Sequence, residues 1–72
     1  MNNETIKLFK KLQKLANGRC IELYYNPLTN VSWAKNSVYV RGDARDSYSP
    51  CVSSGHAITM NAALKQAIKN LA

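Results

Sequence analysis

"ELYYNPLTNVSWAKNSVYVRG", Glu22 to Gly42, holds three of the four tyrosines and the one tryptophan of a 72-residue chain. The run that leads into it, residues 19–26, alternates with period two. Ile21, Leu23 and Tyr25 share one face, and Cys20, Glu22 and Tyr24 the other. "NPLTN" is hairpin-loop chemistry, with Pro27 fixing φ and Asn30 able to take a left-handed conformation. Beyond it Val31 and Trp33 share one parity, while Val38 and Val40 have the opposite one. One strand over 31–41 therefore requires a bulge near Lys35 and Asn36. Read this way, the stretch is an antiparallel pair of strands, and the segments on either side decide what covers it.

Upstream, residues 4–16 are helical in pattern. Ile6, Leu8, Phe9, Leu12, Leu15 and Ala16 recur at spacings of three and four. Asn3 is the expected N-cap, Glu4 suits the positive end of the helix dipole, and Asn17-Gly18 is a left-handed stop. Downstream, "GDARDSYSP" at 42–50 is loop chemistry. A third strand is expected over part of 48–53, with Pro50 confining it to an edge or a strand end. "SSGHA" reads as a second connector. Thr59 caps a closing helix in which Met60, Ala63, Leu64, Ala67, Ile68 and Leu71 form the apolar stripe. The expected fold is α+β: helix, three antiparallel strands, helix, in a two-layer sandwich with both helices on one sheet face. Residues 1–72 make a single domain, without repeats or low-complexity tracts.

Ten Lys and Arg against four Asp and Glu give a net charge of +6. That balance favours anionic partners such as nucleic acid, a ribonucleoprotein, an acidic protein surface or anionic lipid, with solubility alone as the alternative reading. Lys7, Lys10, Lys11 and Lys14 fall on the polar side of the first helix with no carboxylate among them, as one cationic stripe. In a two-layer sandwich the other sheet face stays open. Tyr24, with Trp33 or Tyr39 according to the bulge, is expected there beside Arg41. Such a face stacks on bases, docks on protein, or only packs across strands to stabilise a thin sheet. The candidate contact set is thus Lys7, Lys10, Lys11, Lys14, Tyr24, Trp33, Tyr39 and Arg41, with the aromatic residues making the contact and the lysines steering.

Catalysis finds no constellation. His56 is the lone histidine, on a connector with no fixed acid beside it. Asp43 and Asp46, interleaved with Arg41 and Arg45, read as a salt-bridged loop. Two cysteines and one histidine fall a ligand short of a zinc site, and there is no glycine-rich phosphate loop. No enzyme, metal or cofactor is expected. Cys20 and Cys51 read as reduced, strand-borne thiols behaving as small buried hydrophobes, and a bridge requires neighbouring strands. The lysines interrupt any leader-like apolar run, and no stretch reaches a membrane span of about 20 residues. A cytoplasmic protein is expected, as a monomer or a homodimer.

The helix–three strands–helix order resembles the double-stranded-RNA-binding domain over nearly the whole chain. That family grips phosphates with a Lys-rich start to its last helix. Here those positions are Met60, Asn61 and Ala62, and the family's Gly-Pro-x-His loop falls on "NPLTN", where only the proline matches. More loosely, the basic amphipathic helix, "WAKNSVYV" and "TMNAALKQAI" look like accessory proteins of bacteriophages and mobile elements, the anti-CRISPR group among them. That resemblance implies a small non-enzymatic inhibitor acting in the host bacterial cytoplasm. It would block a host protein or ribonucleoprotein by steric occupancy. The alternatives are a double-stranded or structured RNA or DNA binder that uses the lysine helix directly, and a small structural or regulatory dimer.

Overall fold

The computed structural model describes residues 2–27, 35–43 and 46–72. Its elements follow in the order α1 (Asn3–Ala16), β1 (Ile21–Tyr25), β2 (Asn36–Asp43), β3 (Asp46–Ala57) and α2 (Met60–Leu71). The strands form one antiparallel sheet, β1-β2-β3. Both helices share a core with one sheet face, so the α+β arrangement is the one the sequence pattern implies.

Local chemistry sets the helix ends. Asn2, rather than Asn3, caps α1, because its Oδ1 accepts the Thr5 N–H at 2.8 Å. Asn17 (φ 52°) and Gly18 (φ 85°) turn left-handed and stop the helix. The Asn17 N–H closes on Gln13 O, and the Arg19 N–H and guanidinium both donate to Ala16 O. Thr59 caps α2 as expected, accepting the Ala62 N–H at 3.2 Å.

Leu12 and Ala16 of α1, Val38 and Val40 of β2, Ala57 of β3, and Ala63, Leu64, Ala67 and Ile68 of α2 form the core. α2 lies on β2 and β3, while α1 packs mainly against α2. The helix–sheet contact is unusually close at Gly55. A Cβ there would run into the Ala63 carbonyl and stand 2.9 Å from Ala67 N. Two residues away, buried Ser53 donates its hydroxyl to Ala67 O at 2.6 Å. The two helices join at their first turns, where the Thr5 hydroxyl meets the Asn61 side-chain amide and Lys65 pairs with Glu4 at 3.2 Å.

This packing corrects three expectations. "SSGHA" is not a connector but the second half of β3. Ser53 and Gly55 within it are there because bulkier side chains would hold α2 away, so turn composition here reflects tertiary packing. Within the described part of β2, register shifts lie between Val40 and Arg41 and between Arg41 and Asp43, and the bulge expected near Lys35 and Asn36 depends on residues outside the described ones. Residues 31–34 lie outside the described residues. Tyr25, assigned by parity to the covered face, is 65% exposed, because α1 leans on α2 rather than over β1. The cysteines also part from expectation: Cys51 is exposed, and Cys20 and Cys51 sit on the two outer strands with Arg41 between them. Two strand spacings, about 10 Å, exceed the reach of a disulfide.

The two sheet edges differ. In β3 two outward groups, the Ser54 carbonyl and the His56 N–H, are occupied by α2. The His56 N–H donates to Gln66 Oε1, and Ser54 O accepts from Asn70 Nδ2, both at 2.9 Å. A helix spacing of four residues, about 6 Å, nearly matches a strand spacing of two. Pro50, also on this strand, brings no N–H. β1 has no such cover among the described residues.

Candidate binding faces

Pairing of Glu22 with Tyr39, Tyr24 with Ser37, Tyr39 with Ser54, and Ser37 with His56 lines these side chains up on the face away from the helices. The Tyr24 and Tyr39 rings meet edge-to-face at 5.6 Å, and Tyr39 meets His56 likewise at 5.4 Å. The Arg41 guanidinium lies 5.1 Å over the Tyr39 ring. Its Nε donates to Glu22 Oε1 at 2.6 Å, and the Tyr24 hydroxyl donates to Glu22 Oε2 at 3.0 Å. Ser37 Oγ and His56 Nδ1 stand 3.0 Å apart. The result is a connected polar and aromatic face with Tyr24 half exposed at its margin.

The charges in it are matched. Hydrogen bonds from Arg41 first, and then from Tyr24, hold the Glu22 carboxyl below the usual glutamate range. The same bond to Glu22 raises the Tyr24 phenol above its ordinary value, and Glu22 raises the Arg41 guanidinium further. Arg41 therefore presents a ring-stacked, ion-paired edge rather than a free charge.

The second face is on α1. Lys7, Lys10, Lys11 and Lys14 are all exposed. At about 100° per residue they occupy one arc of roughly 100°, opposite Thr5, Leu12 and Ala16, which face the core. None of the four pairs with a carboxylate among the described residues; the carboxylate of the first turn, Glu4, is taken by Lys65.

Three expected contact residues, Tyr24, Tyr39 and Arg41, are thus brought together on the open sheet face. Trp33 lies outside the described residues. The four lysines are together too, but on the helix side of the molecule with the core between, so one flat footprint does not cover both sets. Glu22, Ser37 and His56 complete the sheet face and were not among the expected contacts. Reading residues 53–57 as strand would have given His56 the parity of this face. The side chains of Asp43 and Asp46 lie outside the described residues, and Arg41 takes Glu22 as its partner.

Among the described residues, no group of three His, Cys, Asp or Glu side chains is placed to hold a metal. No helix of the described residues is long and apolar enough to cross a membrane. Comparison with protein-family models, curated proteins and solved structures returned no match.

Proposed function

We propose that the chain is a non-enzymatic binding protein that inhibits a nucleic-acid machine, docking through α1 on phosphates exposed by a host nucleic acid or ribonucleoprotein. An anti-CRISPR or similar anti-defence protein of phage origin, working in the host cytoplasm, is the most concrete form of this reading. The observation that carries it is uncompensated charge. Glu4 is held by Lys65 and Glu22 by Arg41, whereas Lys7, Lys10, Lys11 and Lys14 face solvent together with no carboxylate partner among the described residues. Their arc spans about two helical turns, roughly 10 Å, enough to meet successive backbone phosphates. Ammonium groups read phosphate as point charges, so the expected action is occupancy without sequence preference. A titration of labelled duplex RNA and DNA tests it. Lys10→Gln with Lys14→Gln should weaken binding by about tenfold or more at low salt. Equal binding by that variant and the parent overturns the proposal.

A second reading makes the open sheet face a protein contact. It is favoured by the pre-organised Tyr24–Tyr39–Arg41 cluster, since Tyr and Arg dominate interface hot spots. It expects Tyr39→Ala to raise the dissociation constant for a captured protein partner more than Lys10→Ala does. The reverse order would count against it.

A further inference from the structure

The two edges of the sheet are treated differently, and among the described residues β1 is the one left open. Arg41 N–H donates to Cys20 O at 2.8 Å and Asn26 N–H to Lys35 O at 2.9 Å, at the two ends of the β1–β2 ladder. Residues 20, 22, 24 and 26 therefore bond to β2. The N–H and C=O groups of Ile21, Leu23 and Tyr25 point the other way, and no described residue takes them. Edge strands are normally blunted, and β3 is, by Gln66, Asn70 and Pro50.

Three observations identify the occupant. First, the outward set is self-complementary. An antiparallel copy centred on Leu23 places Leu23 opposite Leu23 and Ile21 opposite Tyr25, forming about six backbone hydrogen bonds. Second, a cavity of about 300 Å³ opens beside Ile21, lined by Phe9, Gln13, Gly18, Arg19 and Ile21. The residue facing Ile21 across such a seam, on the same sheet face, is Tyr25 of the second copy. Tyr25 is 65% exposed in the single chain. Third, the strand is free of the charge that keeps copies apart. Between Arg19 and Lys35 the described residues hold one charged side chain, Glu22, already paired with Arg41.

We propose that β1 is the seam of a two-fold dimer in which Ile21–Tyr25 pairs with the same strand of a second copy and Tyr25 of each enters the cavity beside Ile21 of the other. The sheet becomes six-stranded, with both helix layers on one side and both aromatic faces on the other. A five-residue seam with one aromatic anchor from each copy falls at the low end of interface sizes, so dissociation constants of about 10–100 μM are expected.

Sedimentation equilibrium on the chain without nucleic acid, at low and high salt, tests this. The mass should rise from 8.0 kDa toward about 16 kDa over roughly 10 μM to 1 mM. Association should strengthen with salt, because screening relieves repulsion between two +6 chains. Phosphate binding should do the opposite, so the two proposals fail separately. Tyr25→Lys should weaken association at least tenfold, and Val52→Lys on β3 should leave it unchanged, with circular dichroism confirming that both fold. Amide exchange at Ile21, Leu23 and Tyr25 should slow as concentration rises. A mass of 8.0 kDa throughout overturns the proposal. So does association that survives Tyr25→Lys or is lost with Val52→Lys.

Discussion

Adding one methyl group at Gly55 tests the packing on which both faces stand. The new Cβ would collide with the Ala63 carbonyl and stand 2.9 Å from both Ala63 C and Ala67 N. All three obstacles are helix backbone, which cannot rotate aside as a side chain can. α2 must lift from β3, and the lift falls on Leu64, Ala67 and Val38, which are fully buried, and on the 2.6 Å bond from Ser53 to Ala67 O. Overpacking of this kind costs about 1–3 kcal/mol. A weakened buried hydrogen bond adds about 1–3 kcal/mol, and the entropic gain of Gly→Ala returns about 0.4–1 kcal/mol. The net expected loss is about 3 kcal/mol, against a total of roughly 4–11 kcal/mol for a chain of this length. Urea unfolding followed by circular dichroism measures it. Gly42→Ala is the control, because its added Cβ meets Pro50 O at 3.4 Å and Val52 Cγ1 at 3.6 Å, near or within ordinary contact distance. A Gly55→Ala loss below about 1 kcal/mol, or one no larger than that of Gly42→Ala, would refute the close-approach argument.

Two further outcomes follow from the sheet. Glu22 is held below the usual glutamate range in the fold by Arg41 and Tyr24, so as acid is added the unfolded chain takes up this proton first. Its contribution is full above the ordinary glutamate range and is lost as pH falls through the lower folded value. Acid titration of urea stability should show this fall, and Glu22→Gln should flatten it. Removing the β3 edge cover with Gln66→Ala and Asn70→Ala should cost about 0.5–1.5 kcal/mol each. It should also introduce concentration-dependent light scattering that the parent lacks, since it frees the Ser54 carbonyl and the His56 N–H.

The fold class was legible in the sequence because each helix carries a three-and-four apolar spacing and β1 alternates cleanly. Thr59 as a cap and Asn17-Gly18 as a stop were legible for the same reason: their chemistry is local. The second half of β3 was not. "SSGHA" has turn composition, and what makes it strand is α2, which contacts it from residues 63 to 70 and needs Gly55 small and Ser53 polar. Tyr25 shows the same limit. Parity gave its side of the sheet correctly, but its exposure depends on where α1 leans, which no period in the sequence encodes. Alternation placed Tyr24 on the open face beside Arg41, with Tyr39 only as the alternative to Trp33 until the register was known. Their tie to Glu22 and His56 depends on register, which the bulges near Arg41 and the misread strand concealed.

The most direct test of the proposed function is the salt dependence of binding to bare duplex RNA and DNA. If the α1 stripe meets phosphates, log affinity should fall linearly with log salt, with a slope of about −3 to −4 for four lysines. Each Lys→Gln change should reduce the slope by roughly one. Absence of binding at low salt, or binding whose slope the lysine variants leave unchanged, would contradict it.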